Sequence, residues 1–317
     1  MVNTTKFIYV MLTLVVIFWG LNVVMVKYLA EMVPPFLLSA IRIPLAGIFF
    51  LPFVWRKYGL YRPSPKQWLL LALIGTTSIF FHQIFLTYGL VTTTATNASL
   101  ILGLNPLTTA LLAALFAGEK MNLRLFLGIL AGFSGVLIVL LSNSPGASIA
   151  ISGHGDLIMF LSMLTYVIGG LFIKMLAGTN MPILIITTYS TLIGGVMLNF
   201  GAFIQYGTSA HEYVHFTAMG WFVLLLSSWV ATSLGSLGWN HAIKLIGANK
   251  TAMFINGMPF ASMIGAVLFL SEQIQWIHAL AFVLTTLGIV IGTYQPKAAS
   301  GSQASTLTSS GPKRLGH

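Results

Sequence analysis

The chain has 317 residues, of which 57% are apolar and 6% charged, and its fifteen Lys and Arg outnumber five Asp and Glu to give a formal net charge of +10. A soluble domain carries roughly 25% charged residues, so the composition excludes an ordinary globular enzyme. Cysteine is absent, which excludes disulfide and thiol chemistry and leaves the redox compartment unmarked.

Stretches of about 20 apolar residues cross a bilayer as helices. Ten are predicted, at 7–29, 36–55, 67–88, 94–117, 123–142, 155–177, 183–206, 217–238, 247–270 and 275–294. The first is no cleavable signal peptide, because its apolar run is too long and nine more follow. With the N-terminus inside, the inner connections and tail hold thirteen of the fifteen Lys and Arg; the other two are Lys27, at the outer end of the first span, and Arg42, within the second. The outer connections carry Glu31, Asp156, Glu212 and Glu272. This bias orients a multi-pass protein of the cytoplasmic membrane with both termini in the cytoplasm. The basic charge is therefore a topology signal, and nucleic acid is not expected as a partner.

Polar residues at membrane depth mark the candidate pathway. The first span offers Trp19 and Asn22, and the second offers Arg42. An arginine at mid-membrane costs on the order of 2.5–3.5 kcal/mol even on the insertion scale, so it must face protein or water. It either binds a substrate carboxylate bidentately or snorkels to the outer surface. The third span adds His82, Gln83 and Tyr88, and the fourth adds Asn97 and Asn105. The second half contributes Tyr166, Tyr189, Trp229, Trp239 and Asn256, with Asn240 and His241 beside Trp239. Each of these also reads as an ordinary hydrogen-bonding or packing residue between helices.

Pro106 and Pro259 fall near the centres of spans four and nine. Each lacks an N–H and leaves the carbonyl four residues earlier, Leu102 or Ile255, to find another partner. Two kinked helices around a wet midplane cavity are expected, with kinks serving packing alone as the other reading.

The chain also repeats itself. At an offset of 153, Ala95, Pro106, Ala113, Leu115, Phe116, Glu119, Leu127 and Gly135 match Ala248, Pro259, Ala266, Leu268, Phe269, Glu272, Leu280 and Gly288. At an offset of 147, Lys27, Leu29, Ala30 and Pro35 match Lys174, Leu176, Ala177 and Pro182. Five spans per copy is an odd number, so the second copy inserts upside down, the inverted-repeat pattern of secondary transporters. The expected fold is all-α, ten transmembrane helices as two inverted five-helix repeats, 1–145 and 146–294, followed by a disordered cytoplasmic tail at 295–317 rich in Ser, Thr, Gly and Ala. Glu119 and Glu272 read as helix-end and loop anchors.

The segment "YGLVTTTATNASLILGLNPLTTALLAALFAGEK" from Tyr88, and its partner "HAIKLIGANKTAMFINGMPFASMIGAVLFLSEQ" from His241, resemble the EamA-type repeat of the drug/metabolite transporter superfamily. Such a repeat opens with a segment like "FWGLNVVMVK", carries an arginine in its second helix, as "AIRIPLAGIFF" does with Arg42, and closes with the Pro and Glu above. The second half departs from the pattern, with Tyr166 in place of the Trp and Tyr189 where the arginine would stand. The resemblance covers about residues 7–294. It implies a secondary transporter or exporter of small metabolites, amino acids or related compounds first and drug-like amphiphiles next.

Three short motifs bear on other chemistries. "HEYVH", with His211, Glu212 and His215, fits the zinc-protease pattern H-E-x-x-H, yet it lies in a short outer loop with no clear third ligand. "GHGD" resembles a membrane aspartyl protease motif, but Asp156 is the one aspartate in the chain and that chemistry needs two. No phosphate-binding G-x-x-x-x-G-K-[ST] loop occurs, so no ATPase subunit is implied, and no cofactor or metal is expected. No span holds a carboxylate near its middle, which favours facilitated diffusion, or weak proton linkage through His82. Gly128, Gly132 and Gly135 suit close helix packing, between the halves or in a homodimer.

Overall fold

The computed structural model describes residues 2–116, 123–142, 149–246, 251 and 253–293, and every element among them is helical. Glu119, Ala248 and the tail lie outside the described residues. Among the described residues, six helical stretches are long and apolar enough to cross a bilayer: Lys6–Ala30, Pro35–Tyr58, Pro65–Thr92, His154–Ala177, Ile183–Tyr213 and Ala218–Ala242. Shorter apolar helices cover Phe126–Gly135, Gly257–Leu270 and Trp276–Ile291. The described residues are all-helical, with the long apolar helices of a membrane protein.

In chain order, α1 is Val2–Ala30 and α2 is Pro35–Tyr58. Helix α3, Pro65–Ile74, runs through a π-helical segment, Gly75–Phe81, into α4, His82–Thr92. Next come α5 (Ala95–Gly103), α6 (Asn105–Phe116), α7 (Leu123–Ser142), α8 (Ile149–Ala177) and α9 (Ile183–Tyr206). A 3₁₀ turn, Gly207–Tyr213, leads to α10, Ala218–Leu225, which passes through a second π segment, Leu226–Leu234, into α11, Gly235–Ile246. A 3₁₀ turn at Met253–Asn256 precedes α12, Gly257–Leu270, and α13 is Trp276–Thr293.

Local chemistry sets these boundaries. Ser64 and Gln67 form a reciprocal capping box at the start of α3. Helices α2 and α9 both end on a Tyr-Gly pair: Gly59 has φ +61° and bonds back to the Trp55 carbonyl, while Gly207 has φ +59° and bonds back to Phe203. Only glycine takes that backbone cheaply. The fourth span, expected as one kinked helix, is interrupted for a single residue at Leu104, whose backbone stays helical (φ −72°, ψ −6°) between α5 and α6. Pro106 is then the second residue of a new helix, where a missing N–H leaves no bond unmade. Pro259 is likewise the third residue of α12, just past the 3₁₀ turn.

The two π segments were not expected. Both are rich in small hydroxyl residues, "GTTS" and "SSWVATS". Thr232 and Ser233 donate to carbonyls five residues back, those of Ser227 and Ser228, at 2.9 Å each, which matches the wider π turn.

Packing crosses between the halves of the chain. Helix α2 lies along α9, and α7 along α13. The first π segment rests on α9 and the second on α2; α4 packs on α8, α11 on α1, α5 on α8 and α12 on α1. Without a hydrophobic drive between helices in lipid, close backbone contact supplies the association energy. Gly132 and Gly135 meet α13: a Cβ at Gly135 would stand 2.8 Å from the Ala281 carbonyl, and one at Gly288 would stand 2.5 Å from the Gly132 nitrogen.

Gly288→Ala is therefore expected to cost about 1–3 kcal/mol through backbone overpacking. At Gly170 a Cβ meets nothing within 4 Å, so Gly170→Ala is expected to be neutral or to gain up to about 1 kcal/mol of helix propensity. Thermal melting of the two purified variants checks the contrast.

Candidate functional site

A cavity of about 130 Å³ sits where the two π segments and the two breaks before the prolines converge. Its wall includes Trp19 and Asn22 from α1, Ser78 from the first π segment, His82 and Gln83 from α4, Asn105 from α6, Tyr166 from α8 and Thr232 from the second π segment. Leu102 and Ile255, whose carbonyls stand four residues before the prolines, line it as well.

Trp19 is fixed on both sides. Its indole N–H donates to the Ala231 carbonyl at 2.9 Å, and its ring lies 5.0 Å from that of Trp239. Gly235 leaves room for this, since a Cβ there would stand 2.7 Å from the Trp19 nitrogen.

Arg42 is fully buried one layer behind the wall. Its Nη1 donates to Thr232 Oγ1 at 3.0 Å and Ser227 Oγ at 3.3 Å, and its Nη2 donates to Gln83 Oε1. Ser227 in turn donates to Asn22 Oδ1 at 2.6 Å. Arg42 Nε is buried without a partner. The guanidinium therefore does not snorkel to the surface; it ties α2 to α4 and to the second π segment, and every acceptor it reaches is neutral. Gln83 is held from its backbone too, its carbonyl accepting from Thr87 at 2.9 Å and Ser39 at 3.2 Å.

His82 also lines the cavity. Its Nδ1 lies 2.8 Å from Ser162 Oγ and 3.0 Å from the Ser162 carbonyl, and its ring stands 4.9 Å from that of Tyr166. Ser78 Oγ donates to the Tyr166 carbonyl at 3.2 Å. The site thus combines a polar face charged from behind by Arg42 with an aromatic face of Trp19 and Tyr166.

Of the sequence candidates, Trp19, Asn22, His82, Gln83, Asn105 and Tyr166 meet in this wall, and Trp239 backs it through Trp19. Tyr88 is exposed on α4. Tyr189 instead donates to the Tyr61 carbonyl at 3.1 Å and stacks on Trp68 at one end of the bundle. Asn97 is buried away from the wall, beside Asp156. Trp229 stacks on Phe49 at 5.8 Å, and Asn240 donates to Thr187 Oγ1 at 2.9 Å. The backbone of Asn256 closes the 3₁₀ turn before α12; its side chain lies outside the described residues. Wall and network residues not anticipated include Ser78, Ser162, Thr191, Ser227, Thr232 and Ser236, small hydroxyls whose signal was their clustering in otherwise apolar spans.

"HEYVH" does not form a helical metal face. His211 and Glu212 lie in the exposed 3₁₀ turn, which ends at Tyr213 before His215, and His211 Nδ1 is 3.0 Å from the Thr208 carbonyl. Among the described residues no group of three His, Cys, Asp or Glu could hold a metal ion.

The profile of the EamA-like transporter family matches residues 6–141 and again 153–294. An uncharacterized transporter of Bacillus subtilis, YyaM, is 31% identical over 92% of this chain and 98% of its own length. A "Probable amino-acid metabolite efflux pump" of Escherichia coli is 26% identical over 90% of this chain and 94% of its own. A solved crystal structure superposes with a TM-score of 0.65 over 89% of this chain and 95% of its own, at 18% identity, which speaks to the fold alone.

Gln83→Leu removes a hydrogen bond to a buried charge and is expected to cost about 1.5–3 kcal/mol. Tyr189→Phe removes a neutral bond away from the cavity and is expected to cost about 0.5–1.5 kcal/mol. Melting temperatures in one detergent rank the two.

Proposed function

The chain belongs to the EamA-like transporter family, and from that premise we propose that it is a secondary transporter of small carboxylate-bearing metabolites, amino acids or related compounds, across the cytoplasmic membrane. The observation that carries this reading is Arg42, a fully buried guanidinium beside the cavity that donates to neutral oxygens and keeps one N–H unpaired. A buried charge is expensive until an opposite charge joins it. A solute carboxylate entering beside Gln83 and Thr232 supplies that charge, and bidentate geometry favours arginine for the purpose.

Cavity size selects among solutes. An apolar cavity of about 150 Å³ holds one benzene ring, so about 130 Å³ suits a solute the size of the smaller amino acids, and larger ones need the cavity to open. The aromatic face of Trp19 and Tyr166 accommodates its apolar side chain. The volume is small for the drug-like amphiphiles that the aromatic content also suggests. The similarity to a protein named as an amino-acid metabolite efflux pump supports the same class and export as the direction.

Ten crossings, arranged as inverted repeats over 1–145 and 146–294, provide the mechanism. Several features support the arrangement. The family profile matches twice, the Tyr-Gly caps of α2 and α9 are alike, and several packing contacts have counterparts when the halves are exchanged: α2 on α9, the first π segment on α9 against the second on α2, and α4 on α8 against α11 on α1. Rocking one bundle against the other then exposes the cavity to each side in turn. The broken helices absorb the motion, because the backbone beside each proline has no continuous ladder to tear.

Sealed proteoliposomes carrying labelled amino acids test the function. Wild-type protein is expected to carry at least one member of an aromatic and aliphatic panel. Arg42→Lys, which keeps the charge but loses the fork, is expected to lower flux at least tenfold, the cost of about one charge-assisted hydrogen bond. Undiminished flux through properly inserted Arg42→Lys protein would remove Arg42 from recognition. Since the chain has no cysteine, single cysteines report topology cleanly: one at Arg62 is expected to label from the cytoplasmic side and one at Thr208 from the opposite side.

A further inference from the structure

Residues 90–96, which join α4 to α5, are gripped by three charged groups from elsewhere in the chain. Glu272 accepts from the Ala95 and Thr96 N–H groups at 2.7 and 3.2 Å and from Thr96 Oγ1 at 2.9 Å, so it caps α5 where the helix dipole is positive. Lys27 Nζ donates to the Leu90 carbonyl at 3.1 Å and to that of Thr93. Thr93 Oγ1 donates to Asp156 Oδ1.

Asp156 stands apart from the other two. It is 1% exposed on α8, two residues past exposed His154. Its second oxygen, Oδ2, is buried without a partner. The Asn97 side chain faces the same carboxylate, yet its oxygen and nitrogen are also buried and unpaired. A proton on Oδ2 turns that orphaned acceptor into a donor beside the Asn97 side chain. Thr93 continues to donate to Oδ1. The formal charge of Lys27, Asp156 and Glu272 together rises from −1 to zero. The other ionisable groups around the cluster are Glu31, facing Lys27, His278, facing Glu272, and exposed His154 on the same helix as Asp156.

We propose that Asp156 is a proton-binding site, open to exchange from the non-cytoplasmic side, through which transport is coupled to a proton. The inference rests on the transporter reading, in which residues 90–96 lie at the outer end. One proton binds one carboxylate, and no covalent bond other than the new O–H is made or broken. The protonated acid donates towards the Asn97 oxygen on α5, whereas the ionised form accepts from Thr93 and draws the Asn97 amide N–H instead, so the proton reverses the polarity of this contact. Because α8 lies in the second half of the chain and α4 and α5 in the first, the proton changes a contact between the two bundles that must rock.

The chain contains one aspartate, so protein grown with aspartate labelled at its side-chain carboxyl carbon carries a single reporter. The full chain in lipid nanodiscs is followed by isotope-edited infrared or solid-state NMR from about pH 8 to about pH 5.5. The labelled carboxyl is expected to pass between ionised and protonated forms, to shift in Asn97→Ala, and to ignore exchange of potassium for sodium. A carboxyl that stays ionised throughout, or that follows sodium rather than pH, overturns the proposal. In proteoliposomes, accumulation driven by a pH gradient is expected in wild type, with only equilibration in Asp156→Asn; gradient-driven accumulation by that variant also overturns it. The spectroscopic arm needs no cargo. Absence of flux for every tested solute would count against the transport reading and leave the proton site to be decided by the labelled carboxyl.

Discussion

Arg42 is sealed from solvent in a chain with 6% charged residues, and the groups that receive its hydrogen bonds are an amide and two hydroxyls. Neutral acceptors offset part of the cost of burying a guanidinium, but they leave its net charge in a medium of low dielectric. Much of the surrounding architecture follows from that condition. The second π segment aims Ser227 and Thr232 at the guanidinium, α4 contributes Gln83, and Asn22 extends the network to α1. A regular α-helix would carry these hydroxyls at a different phase, because π geometry shifts the residues after it by about one position. The polar cavity is where this network reaches open space.

Much of the fold was legible in the sequence because apolar run length is a direct physical requirement of the bilayer. Of the ten expected crossings, six appear among the described residues as helices long and apolar enough to span and others as shorter apolar helices, and the two prolines lie beside the cavity. Their consequence differed in kind: Pro106 begins a helix instead of bending one, because proline is tolerated in a first turn and costly further in. The π segments were hidden, since hydrogen-bond register leaves only a faint trace in composition, here a few extra hydroxyls.

The candidate site was half legible for a related reason. Polarity at membrane depth selects residues that need a protein partner, and Trp19, Asn22, His82, Gln83, Asn105 and Tyr166 found theirs around one cavity. The same criterion selected Tyr189, which bonds to Tyr61 at one end of the bundle, and Asn97, which is buried beside Asp156 away from the cavity. Sequence depth fixes height along the membrane normal but not azimuth around the helix. Asp156 shows the converse error: it reads as a loop residue because it lies near the start of a span, yet α8 begins earlier, at Ile149, and tertiary packing buries the carboxylate.

The account turns on an anionic solute completing the charge of Arg42. The most direct measurement is equilibrium binding of a labelled amino acid and of its neutral amide, matched in shape, to the purified protein. The acid is expected to bind at least tenfold more tightly, a difference of about 1.4 kcal/mol, with the preference lost in Arg42→Lys. Equal binding of the two compounds would contradict the account and leave the guanidinium as a brace among α2, α4 and the second π segment.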